Sequence, residues 1–163
     1  MSFIKNKRAS MGFPVAVMFL FLVIFICVVG IVIEYGRAAA IKRTVEDGLS
    51  KALNDAVQLA MLDEYRQEHV SRIDTGEAET EAFAYMSDVL GLQSPAYTVL
   101  QGDGRILYRL ENVVITSQAE PPHMTLTCTL IVPQAMFSDA MGGGFSMRLE
   151  MRVDSRNQRL ETE

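Results

Sequence analysis

The sequence predicts an α+β protein, in which a long N-terminal transmembrane and amphipathic helix packs against a small antiparallel sheet. Three observations predict it. Residues 13–33 are 21 consecutive positions with no charge and no side chain more polar than Cys27. The stretch that follows places apolar side chains at three- and four-residue spacing, the period of a helix with one apolar face. From Tyr97 onward the pattern changes to alternation and β-branched residues, the mark of half-buried strands. The chain of 163 residues therefore divides into a basic cytoplasmic tail or leader (1–12), a transmembrane helix (13–35) and an amphipathic helix continuing the span (36–70). An extracytoplasmic helix-plus-sheet domain (71–153) and a loose charged tail (154–163) complete it.

At 1.5 Å of rise per residue the apolar run covers roughly 30 Å, the thickness of a bilayer's hydrocarbon core. Pro14 falls in the first turn, where its missing N–H costs nothing. A buried helix of a soluble protein rarely runs this long without a polar position. A cleaved secretory signal is the closer rival, but its apolar core is normally about 7–15 residues and ends at a small-x-small site. Here the run is longer, and Glu34, Tyr35, Gly36 and Arg37 lead into Ala38-Ala39-Ala40 as a continuing helix, which leaves Ala38-x-Ala40 as the alternative cleavage site. Of the 15 Lys and Arg, only Lys5, Lys7 and Arg8 precede the span, whereas all 20 Asp and Glu follow it. Excess Lys and Arg belong on the cytoplasmic side, so the N-terminus stays in and the C-terminal domain goes out.

Ala38, Ile41, Val45, Leu49, Ala52, Leu53, Ala56, Leu59 and Ala60 form the apolar stripe of the second segment. Between them fall Arg37, Lys42, Arg43, Glu46, Asp47, Lys51, Asn54, Asp55 and Gln58. No proline occurs from Val15 to Ser94, so span and stripe read as one helix from Pro14 to about His69. Residues 71–81, around Gly76, read as a turn. Residues 77–90 read as a second helix stopped by Gly91. Strands are expected at 96–100, 105–116, 124–132 and 145–153. Gly102-Asp103-Gly104 should close a hairpin between the first two, Pro121-Pro122 marks the next connection, and Gly142-Gly143-Gly144 is a flexible loop.

The chemistry is sparse. No phosphate-binding, dinucleotide-binding or zinc-hydrolase motif is present, and Gly142-Gly143-Gly144 lacks the lysine of a phosphate loop. His69 and His123 lie far apart, and Cys128 within an alternating strand reads as a buried small residue. Neither a cofactor, a metal nor a small-molecule substrate is expected, and the chain does not read as an enzyme. The acidic outer portion disfavours nucleic acid as a partner. Cys27 in the span and Cys128 in a strand cannot form an internal disulfide framework. One charged position stands out: Glu34 at the outer end of the span, with Arg37 three residues on, facing the same side. Glu34, Tyr35 and Arg37 are the helix-pairing candidates, either as an ordinary surface pair or as partners of a neighbouring helix.

Basic residues, an apolar span, Glu34-Tyr35-Gly36-Arg37 and an alanine-bearing amphipathic helix together resemble the bacterial Tad (tight adherence) pilus-assembly proteins. These are the TadE/TadG-like group, a branch of the type IV pilin-like proteins, and the resemblance covers roughly residues 7–61. It implies a pilin-like fold and a minor pilin or pseudopilin in the bacterial cytoplasmic membrane, partnered by the lipid bilayer and by other pilin-like subunits or pilus-assembly proteins. The alternative is a membrane scaffold or binding protein of a secretion, competence or conjugation apparatus. The resemblance also implies a prepilin-type processing junction, for which Gly12-Phe13 behind the basic leader is the candidate. The chain departs from that pattern, since Pro14 follows the junction and residues 13–17 contain no glutamate. It is therefore expected to stay full length.

Overall fold

A computed structural model describes residues 12–61, 72–93, 97–134 and 145–155. Contacts divide the chain into two units, residues 1–37 and residues 38–163. Helix α1 (Gly12–Leu59) begins in the first and ends in the second. Helix α2 (Thr75–Leu90) and strands β1 (Thr98–Leu100), β2 (Ile106–Gln118), β3 (His123–Pro133) and β4 (Ser146–Asp154) follow. The chain is thus α+β, with a long apolar N-terminal helix and a four-stranded antiparallel sheet in the order β1-β2-β3-β4.

In the first unit the apolar run is helical throughout, and its side chains stand exposed on every side of α1. In the second unit the same helix is one-sided. Ala38, Val45, Leu49, Ala52, Leu53, Ala56, Val57 and Ala60 are buried, and the charged residues between them are not. The expected stripe is corrected at one margin. Leu59 is exposed and Val57 is buried. At 100° per residue Leu59 lies about 60° from the stripe's centre and Val57 about 100° on the opposite margin, so period alone favours Leu59 and the neighbouring elements reverse the order.

The helix also stops earlier than the pattern predicts. The Ala60 carbonyl accepts the Asp74 N–H at 3.1 Å, and Met61 bridges to Ile73, so the backbone ladder is diverted at residue 60. The predicted continuation to residue 69 or 70 lies mostly outside the described residues. Ile73, buried, also donates its N–H to the Ala119 carbonyl, tying this corner to the β2–β3 connection. Asp74 then caps α2, its carboxylate accepting the N–H groups of Gly76 (2.9 Å) and Glu77 (3.1 Å). Such a cap satisfies donors that a helix start leaves orphaned, and it moves the start ahead of the expected Glu77. The expected stop at Gly91 holds, with φ 62° in the left-handed region that glycine tolerates.

Ala78, Ala82, Met86 and Leu90, four apart, are the buried side of α2. At Gly48 α1 meets the end of α2 closely, for a Cβ there would stand 2.5 Å from Leu90 Cδ2. A hydrogen bond of 2.6 Å from the Ser117 hydroxyl to Glu79 joins α2 to β2.

Strands β3 and β4 follow the predicted alternation closely. On the inner face Leu126 faces Val153, Cys128 faces Met151, Leu130 faces Leu149 and Val132 faces Met147. These join α1 and α2 in one apolar core. The outer face carries threonines and charges. In β2 the inward set switches from Tyr108 and Leu110 to Val113 and Ile115. A bulge between Glu111 and Val114 makes the switch, with Asn112 at φ 53°. An extra residue reverses which side chains face inward, and asparagine accepts the left-handed backbone better than most. The Gly102–Gly104 turn closes the first hairpin through Gly104 N–H to Gln101 carbonyl (2.8 Å). The β2–β3 connection holds a cis Glu120–Pro121 bond.

Residues 154 and 155, expected in the charged tail, are bonded to the sheet instead. Asp154 still pairs with Thr125 in the ladder, and buried Ser155 exchanges two bonds with Met124, each 2.8 Å. Residues 156–163, the Gly142-Gly143-Gly144 loop, the tail before Gly12 and His69 lie outside the described residues.

Candidate functional site

The candidate positions lie at the two ends of the apolar run. Helical geometry places residues three apart on one side, so Glu34 and Arg37 meet. Arg37 Nη1 stands 3.6 Å from Glu34 Oε2, and the glutamate side chain is only 6 % exposed whereas the arginine is 29 % exposed. An exposed pair of this kind contributes about 0.3–0.5 kcal/mol. A covered carboxylate raises the stakes, because removing one cation from beside it leaves a charge out of water with a partner fewer. Tyr35 points elsewhere, about 100° around the helix, and is exposed. The structure therefore unites two of the three helix-pairing candidates and sets the third apart. That Glu34 is covered was not legible, since an i,i+3 pair reads the same on a bare helix.

At the other end, Gly12 is the first residue of α1 and Phe13 is exposed. Between the two ends lie Phe19, Phe21, Phe25 and Ile31, all largely exposed. Leaving one such side chain in water rather than apolar surroundings costs about 1.5–3 kcal/mol, so the segment as a whole demands a non-aqueous medium or apolar partners. Among the described residues α1 is the helix long and apolar enough to cross a membrane, with a mean hydropathy of 3.4 over its most apolar window. Membrane anchors and signal sequences share that property.

The sheet domain supplies little reactive chemistry among its described residues. Both cysteines are free thiols. Burial pushes the Cys128 thiol up to about 11, so at neutral pH it is protonated and a poor nucleophile. Burial likewise raises the Tyr108 phenol above its ordinary value. Asp103 turns the first hairpin, accepting the Arg105 N–H at 3.0 Å. The described residues contain no group of three or more His, Cys, Asp or Glu able to hold a metal ion.

Sequence reasoning did not find the ion-paired outer face. Glu111 of β2 lies 2.7 Å from Arg109 and 3.0 Å from Arg148 of β4, reaching across β3. At the sheet's other end the Thr125 hydroxyl donates to Asp154 at 2.6 Å, and His123 and Arg152 stand at 3.7 and 3.5 Å from that carboxylate. The Thr125 bond, with help from Arg152 and His123, holds the Asp154 carboxyl below its usual value. The alternating charges of β4 were the available signal, but their partners depend on register.

Compared with protein-family models, curated proteins and solved structures, the chain matches none.

Proposed function

We propose that the chain is a membrane-anchored, pilin-like component of a Tad or type IV pilus-like filament or of its assembly machinery, a minor pilin or pseudopilin. Residues 13–35 anchor it in the bacterial cytoplasmic membrane, with the N-terminus inside and the sheet domain outside. The observation that carries this reading is the character of α1. It is apolar on all sides in its first unit and one-sided in its second, where it builds a core with an antiparallel sheet. A helix of that kind serves two surroundings at once, lipid or sibling helices first and its own domain second. The charge asymmetry across residues 13–33 supports the orientation. The resemblance over residues 7–61 supports the filament, with Glu34 and Arg37 as the polar contact between neighbouring helices.

Shearing intact cells and probing the released filaments tests the proposal. The chain is expected as a repeating component of the sheared material, and Glu34→Arg should reduce its incorporation. Recovery only in a detergent-extracted complex would favour the scaffold reading. A soluble product beginning after Ala40 would overturn both. Intact mass of the membrane form is expected at full length, and a chain starting at Phe13 would instead show prepilin-type processing.

A further inference from the structure

The exposed edge of β4 carries an inference that does not depend on the pilin-like reading. Among the described residues β4 has a strand neighbour on one side only, β3. The register between them runs without a bulge from Pro133↔Ser146 to Thr125↔Asp154. Two bonds just beyond its ends fix which backbone groups face which way. The Ser155 N–H donates to the Met124 carbonyl, and the Gln134 N–H donates to the Phe145 carbonyl. Both fall at odd-numbered residues on the β4 side. Antiparallel ladders alternate bonded and non-bonded pairs, so the even-numbered residues from Ser146 to Asp154 turn their N–H and C=O groups away from β3, toward the edge.

Those same even-numbered residues carry the outer-face charges Arg148, Glu150, Arg152 and Asp154. Strand pairing about a two-fold axis sets each residue opposite one in the copy, and the centre of the pairing decides which charges meet. Centred on Met151, Arg148 meets Asp154 and Glu150 meets Arg152, in both directions. Opposite charges then face each other four times. Leu149 meets Val153 on the inner face, and Met151 meets itself. Centred on Glu150 or on Arg152, like charges meet instead. Centred on Leu149 or on Val153, only half of the favourable pairs form within β4. Cross-strand charge pairs discriminate in this way because facing like charges destabilise an antiparallel pair. An edge protected only against aggregation gains from charges of one sign, whereas this alternation is complementary to itself.

We propose that β4 is an interface for a second copy of this chain, joining two sheets edge to edge in antiparallel register centred on Met151. The even-numbered residues supply the backbone bonds and the charge pairs select the register. Antiparallel edge pairing relates the two copies by a two-fold normal to the sheet, so the full chain is tested in detergent, where no bilayer constrains how the copies turn.

The test uses the full chain with two different tags, and with Glu150→Arg and Arg152→Glu as separate variants. Wild type should self-associate. Each single variant places two like-charged pairs at the interface, and its self-association should fall on the order of tenfold or more. Mixing the two variants pairs Arg with Glu at both sites and should restore association to within about threefold of wild type, as should the double variant in one chain. Rescue on mixing cannot come from misfolding, because neither chain is altered by the other until they meet. No association of wild type, or singles that associate as wild type does, or failure of the mixture to recover, would overturn the proposal.

Discussion

The two halves of α1 are helical alike and differ in what surrounds them. Residues 13–33 present apolar side chains around the whole circumference and leave almost all of them exposed. Residues 38–59 present a stripe, and Val45, Leu49, Leu53 and Ala56 in it are completely or nearly completely covered. Helix propensity does not distinguish them, since the first half is full of β-branched residues that are only moderate helix formers. What distinguishes them is where the apolar surface goes. The second half is satisfied within its own domain, by α2 and the inner face of the sheet. The first needs a medium that the described residues do not provide.

The largest expected effect contrasts one buried charge in each half. Leu49→Asp places a carboxylate in a fully covered core position and should cost more than about 4 kcal/mol, abolishing cooperative unfolding of the sheet domain in detergent. Leu22→Asp should leave that unfolding unchanged and weaken membrane retention instead, by about 2.5–3.5 kcal/mol of insertion free energy. Equal damage to domain melting from both variants would break the comparison. Truncation is the gentler version. Leu53→Ala should cost about 2–5 kcal/mol in urea unfolding of the domain, and Phe25→Ala less than about 0.5 kcal/mol.

Gly48 sharpens the contrast within the second half. Gly48→Ala brings a Cβ against Leu90 Cδ2, the movable end of a side chain, while gaining about 1 kcal/mol of helix propensity. The net should lie within about 1 kcal/mol of zero. Gly48→Leu cannot be absorbed that way and should cost about 1–3 kcal/mol, partly recovered in combination with Leu90→Ala. A neutral Gly48→Leu would mean that α1 and α2 do not meet there.

The smallest effect is electrostatic and on the outer face. The Asp154 carboxyl is lowered chiefly by the Thr125 hydroxyl. A group whose folded pKa lies below its unfolded value stabilises above the unfolded pKa, and that stabilisation is lost as pH falls through the folded one. Asp154→Asn should therefore lower stability slightly at neutral pH and flatten the acid limb below about pH 4. Because the carboxylate is well exposed, solvent screening keeps the change small.

Much of this architecture was legible because it rests on period. The strand expectations at 105–116 and 124–132 differ from β2 and β3 by one or two residues at each end, since burial on one face imposes strict alternation. Gly91 and Gly102-Asp103-Gly104 were legible because few residue types stop a helix or turn a hairpin so tightly. Other features were set by contacts that period does not report. The end of α1 depends on the Asp74 N–H claiming a carbonyl fourteen residues back in sequence. The Asn112 bulge left a trace in Val113-Val114-Ile115, an apolar run that breaks alternation, but a bulge and a fully buried strand give the same trace. At the candidate site the pairing of Glu34 with Arg37 followed from spacing, whereas the covering of Glu34 depends on neighbours in space.

Sedimentation of the intact chain after detergent removal tests most directly whether the first half of α1 requires an apolar medium. The chain is expected to pellet as aggregate, and to remain in the membrane fraction under alkaline extraction when lipid is present. A stable, folded monomer of full-length mass in plain buffer would contradict the account.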